Sequence, residues 1–203
     1  MADLKSMSRR ERLQYIWDYY KLHIIGVIVL AALVVSFIYG QVTKIVYVGN
    51  VTILGDVLEE SKREEFQKII TGAVVKEGEK KKQAFVDSFS VGKDQIGAQM
   101  MQKFIVKIAA GDIDVVVLDK EMFEEFVKQD MFMDVDEAKL KNSKLDKIEI
   151  SLNQGNKKVV AVGAEGSSLL ETIGLDTRNK VIAMPRTSIN KENGMKIFQE
   201  LIK

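Results

Sequence analysis

The sequence predicts a chain in two parts, an N-terminal transmembrane helix followed by a small α/β domain. Two observations carry this. Leu22 to Tyr39 reads LHIIGVIVLAALVVSFIY, and between His23 and Lys44 the only ionisable group is a tyrosine hydroxyl. From residue 44 onward, short β-branched runs alternate with stretches whose apolar residues recur every three or four positions, the pattern of strands alternating with helices.

At about 1.5 Å per residue, a run of roughly 18 residues makes about 27 Å of helix, close to the hydrocarbon thickness of a bilayer. Backbone groups inside that layer must pair with one another, which a lone segment achieves only as a helix. A buried core helix of a soluble domain competes with this reading, but core helices of that length rarely lack a polar face. A cleaved signal peptide needs small residues two apart before the cut, and Ser36-Phe37-Ile38-Tyr39-Gly40 does not provide them. The run therefore reads as a retained anchor in the lipid bilayer. It divides the chain into a tail with an interfacial helix at 1–21, a span at 22–40 and an extracytoplasmic domain at 41–203.

Lys5, Arg9, Arg10, Arg12 and Lys21 precede the span, whereas Lys44 stands alone after it. That asymmetry places the amino terminus in the cytoplasm and the domain outside a cell membrane crossed once. Tyr15, Trp17, Tyr19 and Tyr20 would lie at the inner interface and Tyr39 at the outer one, where rings with a polar edge are favoured. Ser8-Arg9-Arg10-Glu11 has capping-box spacing, and Leu13, Ile16, Trp17 and Tyr20 share a face, so a helix over 9–20 should run into the span. An arginine-rich targeting peptide is the alternative, although Glu11 and Asp18 interrupt it.

Beyond the span, 44–54 (KIVYVGNVTIL) reads as a strand bent at Gly49-Asn50. Asp56 and Glu59 form a second capping box for a helix reaching about residue 75, with Leu58, Phe66, Ile69 and Ile70 inward. A charged loop, GEKKKQ, leads to a strand at 84–90. Asp94 is placed to cap a helix whose Ile96, Met100, Phe104 and Ile108 recur every four residues, and Gly111 ends it. The run VVVL at 115–118 suits a strand buried on both faces, as in a parallel sheet covered by helices. Asp119 is placed to cap a helix over 120–128. Residues 148–152 and 159–162 make a hairpin with its turn at 153–156. Ser168 and Glu171 frame a short helix, 180–184 is a strand ended by Pro185, and 191–202 a terminal helix. An α/β layer with one antiparallel hairpin inserted follows.

Composition narrows the chemistry. Of 30 basic and 29 acidic residues, five and three precede the span, leaving 25 and 26 for the domain. That near-balance argues against a nucleic-acid surface. No cysteine is present and the one histidine is His23 at the membrane boundary, which removes disulfides, thiolate metal sites, lipidated cysteine anchors and histidine-assisted nucleophiles. Asp112 with Asp114 and Asp134 with Asp136 are spaced as paired carboxylates, but loop-shaping and turn-capping account for them without an active site. Asp130, Asp134, Asp136 and Glu137 offer oxygens to calcium without the glycine of the twelve-residue loop. The residues predict no enzyme, no metal and no cofactor.

The stretch MQKFIVKIAAGDIDVVVLDKEMFEEFVKQDMFMDVD at 101–136 resembles type II extracytoplasmic solute-binding proteins. The resemblance rests on Ala110-Gly111-Asp112, Asp114, the apolar strand, and Asp134-Val135-Asp136, together with the strand at 159–163, the serine-led helix and the 181–185 strand. It implies a membrane-anchored, shortened lobe of that family. The opening YIWDYYK at 15–21 looks like small anchored proteins of Gram-positive bacteria. A span in place of a lipid-bearing cysteine, and a domain too short for two full lobes, imply a receptor lobe reused as an interaction module, an accessory subunit of a transporter or envelope complex. The alternative is a tethered small-solute receptor. Open α/β sheets hold ligands at the carboxyl ends of their strands, which nominates Asn50, Ser90, Asp119 and Arg186. For a protein partner, Met131, Phe132 and Met133 are nominated, since alternation could leave one side of that segment exposed, although packing into the core is the commoner fate of such residues.

Overall fold

A computed structural model describes residues 8–92, 95–140, 143, 145–151 and 157–203, and it divides the chain into an N-terminal unit ending at Lys44 and a domain from Ile45 to Lys203. The cap expected at Asp94 and the turn at 153–156 lie outside the described residues, as does the Glu11 side chain.

The N-terminal unit is one helix, α1 (Arg9–Val42), so the interfacial and apolar segments are continuous. Thr43 turns its hydroxyl back onto the Tyr39 carbonyl at 2.7 Å, closing the last turn. Within Trp17–Val42 of α1 the most apolar 18 residues have a mean hydropathy of 2.6, and none of them is covered by protein. A core helix would be covered. The helix is long and apolar enough to cross a membrane, by the same length and composition that a signal sequence would satisfy.

The domain is a mixed α/β fold built on β1 (Val46–Leu54), α2 (Glu60–Val74), β2 (Lys82–Phe89), α3 (Gln95–Ala110), β3 (Val115–Asp119), α4 (Lys120–Val127), β4 (Lys147–Ser151), β5 (Lys157–Gly163), α5 (Ser168–Thr172), β6 (Lys180–Ala183) and α6 (Lys191–Leu201). Six strands form one sheet in the order β2-β1-β3-β6-β5-β4. β2, β1 and β3 are parallel, and β4 and β5 make the expected antiparallel hairpin. β6 also runs antiparallel, to both β3 and β5. The connection from β5 to β6, residues 164–179, carries the five-residue α5.

Side chains alternate between two buried faces. Val51, Ile53, Val115, Val117 and Ile182 pack with Phe66 and Ile70 of α2, Leu170 of α5 and Ile197, Phe198 and Leu201 of α6. Leu54, Val116, Leu118, Val181 and Ala183 pack with Phe104 and Ile108 of α3 and Phe123 and Phe126 of α4. The VVVL run is fully buried, as a strand sandwiched between helices must be.

Local details differ from the expectations where a distant partner competes with a local one. The bend in β1 is a register shift between Tyr47 and Gly49, and a Cβ on Gly49 would stand 2.7 Å from Ile197 Cδ1 where α6 crosses. Helix α2 starts at Glu60 rather than Asp56, and neither Asp56 nor Glu59 caps it, because Asp56 is drawn to Lys180. The cap of α5 is Ser167, whose hydroxyl accepts from Leu170 N at 3.5 Å and donates to the Leu201 carbonyl at 2.6 Å.

Candidate functional site

In the order β2-β1-β3, the chain leaves β1 to one side for β2 and reaches the other side for β3. The switch point, where open α/β sheets hold ligands, therefore lies at the carboxyl ends of β1 and β3. Gly55, Asp56, Asp119 and Lys180 meet there. The Lys180 ammonium donates to Asp119 Oδ1 at 2.6 Å and pairs with Asp56 Oδ2 at 2.7 Å, with the lysine side chain only 5% exposed. Burial alone would lower the ammonium's pKa, but hydrogen bonds to Asp119 and Asp56 outweigh it and hold the value above the ordinary 10.5. A lysine held charged in this way is not a nucleophile. Gly55 has φ +111°, and a Cβ there would come 2.7 Å from Asp119 Oδ2, so the ion-pair triad depends on glycine at this turn. The crevice is thus filled by the protein's own charges. Beside it lies an open hollow of about 540 Å³ lined by Asp119, Lys120, Glu121, Glu124, Arg178 and Asn179.

The opposite edge of the sheet is organised by Asp114, which is fully buried. Its Oδ2 accepts from Asn50 N at 2.8 Å and Asn190 Nδ2 at 3.4 Å. Its Oδ1 accepts from the Ser188 hydroxyl at 2.6 Å and Asn190 N at 3.2 Å. The Asp114 amide in turn donates to the Asn50 carbonyl at 3.0 Å. One carboxylate thereby ties the middle of β1, the start of β3 and the chain entering α6. Asp112 is exposed, so the two carboxylates do not face one cleft.

The four nominated ligand residues do not converge. Ser90, exposed after β2, and Asp119 lie at the carboxyl edge. Asn50 lies four positions before the end of β1, and Arg186 follows β6, whose antiparallel direction carries it to the other edge. Arg186 there binds Asp130 Oδ1 at 2.7 Å and the Phe132 carbonyl at 3.0 Å.

Nor does the Met131-Phe132-Met133 segment offer an exposed face. Phe132 is 3% exposed, bridges to Pro185 and stacks on Phe123 with ring centroids 5.1 Å apart. Met131 and Met133 are half-buried against the two opposite core layers. The acids around them are engaged singly: Asp130 by Arg186, Asp134 by Lys158 at 3.0 Å, and Asp136 by the Ala138 amide. The Lys158 hydrogen bond lowers the Asp134 pKa. Among the described residues no group of three ligating side chains gathers for a metal ion.

Exposed apolar surface lies elsewhere, on α3. Ile96, Ile105 and Val106 are exposed at different angles around the helix, and Ile189, hydrogen-bonded through its amide to Gly111, is exposed just past its end. The helix has only two charged residues, Lys103 and Lys107, and both turn toward Asp87 on β2, at 4.0 and 3.1 Å. The signal is present in the sequence, since QIGAQMMQKFIVKIAA holds no acidic residue in a chain that is 29% charged.

No protein-family model, curated protein or solved structure matches the chain.

Proposed function

We propose that the chain is a membrane-anchored, non-catalytic interaction module whose domain lies outside the cell membrane, an accessory subunit of a transporter or envelope complex. The observation that carries this reading is the exposure of Ile105 and Val106 on α3, a helix without acidic residues, in a domain joined to an apolar helix. Basic groups laid against Ile105 and Val106 would lose water without gaining a counter-ion from α3, so the partner surface is mainly apolar, as on an integral membrane protein. One helix face is a small contact. A shared bilayer compensates by raising the effective concentration of the two partners. The alternative, a tethered receptor for a small solute, needs a concave site at the strand ends, where Lys180 and its two aspartates fill the crevice.

The full chain, extracted in mild detergent, is expected to bring down one integral membrane protein in stoichiometric amount. Val106→Asp is expected to release that partner. Val106 is 67% exposed, so the melting temperature should hardly move. A wild-type chain that purifies alone, or a Val106→Asp chain that keeps its partner, contradicts the proposal.

A further inference from the structure

Helix α3 ends at Ala110, and Gly111, with φ +77°, turns the chain into β3. An open groove of about 430 Å³ lies beside that end, lined by Tyr47, Asn50, Phe85, Lys107, Asp112 and Asn190. Neither the switch-point triad nor the α3 face includes it. Tyr47 and Phe85, on neighbouring parallel strands, meet edge to face with centroids 5.0 Å apart, and Tyr47 is 47% exposed. Three planar hydrogen-bonding groups surround this pair. The Asn50 side-chain amide and the Asp112 carboxylate have no hydrogen-bond partner among the described residues, and Asn190 spends only its Nδ2 on Asp114, leaving Oδ1 free. No buried side-chain polar atom among the described residues lacks a partner, so these free groups are the ones water reaches.

We infer that this groove is a carbohydrate-binding site for one or two pyranose units of a neutral glycan. The chemistry selects among ligand classes. A pyranose presents an apolar C–H face, which suits the negatively polarised face of an aromatic ring, and a rim of hydroxyls that both donate and accept. Asp112 can accept from two hydroxyls, Asn50 can donate and accept, and Asn190 Oδ1 can accept. An anion would meet the Asp112 carboxylate, while the one cation in the groove, Lys107, is held by Asp87 at 3.1 Å and lies 5.3 Å from the Phe85 ring centre. A wholly apolar ligand would strip water from three planar polar groups and leave them unpaired. The groove is open rather than enclosing, which fits a chain of sugars lying across it with modest affinity at each unit. This inference is independent of the partner proposed for α3.

The test uses the full chain in lauryldimethylamine oxide micelles, which carry no sugar headgroup, with cellotetraose, maltotetraose and chitotetraose as probes and inorganic phosphate as the anionic control. Saturation-transfer NMR is expected to mark pyranose C–H protons of at least one oligosaccharide. Tyr47→Ala should abolish that transfer, and Asn50→Ala or Asp112→Ala should each weaken binding about tenfold. Melting temperatures should stay near the wild type for Asn50→Ala and Asp112→Ala, whose side chains have no hydrogen-bond partner among the described residues, and fall by a few degrees at most for Tyr47→Ala, which loses its contact with Phe85. Absence of transfer to all three oligosaccharides, transfer undiminished in the three variants, or binding of phosphate in their place would overturn the assignment.

Discussion

Asp114→Ala is expected to destabilise the domain by about 3–5 kcal/mol, the largest loss from a single side chain outside the apolar core. The side chain is fully buried and receives four hydrogen bonds, from two backbone amides, a hydroxyl and a side-chain amide. Truncation leaves the amides of Asn50 and Asn190 without acceptors at the junction of β1, β3 and the α6 entry, and an unpaired buried donor costs more than a hydrogen bond gains. For a domain of this size that loss corresponds to roughly 10 °C in melting temperature. Asp114→Asn is expected to cost about half as much. It keeps one acceptor oxygen, turns an NH₂ toward donors and gives up the charge-assisted strength of the carboxylate. Urea titration followed by circular dichroism would measure both. A stability for Asp114→Ala within about 1 kcal/mol of wild type would mean that the buried network contributes little.

Lys180→Met should cost about 2–4 kcal/mol at neutral pH. Removing one member of a buried ion group strands the charges that remain. Asp56 and Asp119 keep 46% and 42% side-chain exposure, so water absorbs part of the loss and the cost falls below that of a fully buried pair. The pH dependence has a definite sign. Lys180 has a folded-state pKa raised above its ordinary 10.5, so its contribution is complete at lower pH and is lost as pH climbs through that higher value. The gap between wild type and Lys180→Met should therefore stay constant from about pH 6 to pH 9 and close in strong alkali. Combining Asp56→Asn and Asp119→Asn with Lys180→Met should recover part of the single-variant loss, because no stranded charge remains. A Lys180→Met chain as stable as wild type at pH 7 would show that the triad is no more than a surface ion pair.

The sheet and its two helical layers are legible in the sequence because burial imposes a period on each segment. Val115 to Leu118 suit only a strand covered on both faces, and Phe104 and Ile108 only a core-facing side of a helix. The direction of β6 is not legible, since the residues of a short apolar strand read the same whichever way it runs. The capping assignments fail for a related reason. Asp56 and Asp119 sit where a local cap is expected, but both carboxylates pair with a lysine 61 residues beyond Asp119 and neither helix receives a side-chain cap. Nominating ligand residues from strand ends needs the direction and length of each strand: Asn50 is mid-strand and Arg186 ends an antiparallel strand, so only Ser90 and Asp119 share an edge. Met131-Phe132-Met133 stands out as apolar residues between acids, yet Phe132 is anchored by Phe123 and Pro185 from elsewhere in the chain. On α3 the lack of acidic residues can be read from the sequence, but which of its apolar side chains stay exposed depends on how the helix packs on the sheet.

The placement of the domain outside the membrane is the claim on which the partner and glycan proposals have biological meaning. Protease treatment of intact protoplasts bearing the full chain, with a tag ahead of Ser8, tests it most directly. The mass from Ile45 to Lys203 is expected to be digested while a tagged fragment containing α1 stays protected in the membrane. An intact domain with the tag removed would place the amino terminus outside and contradict the account.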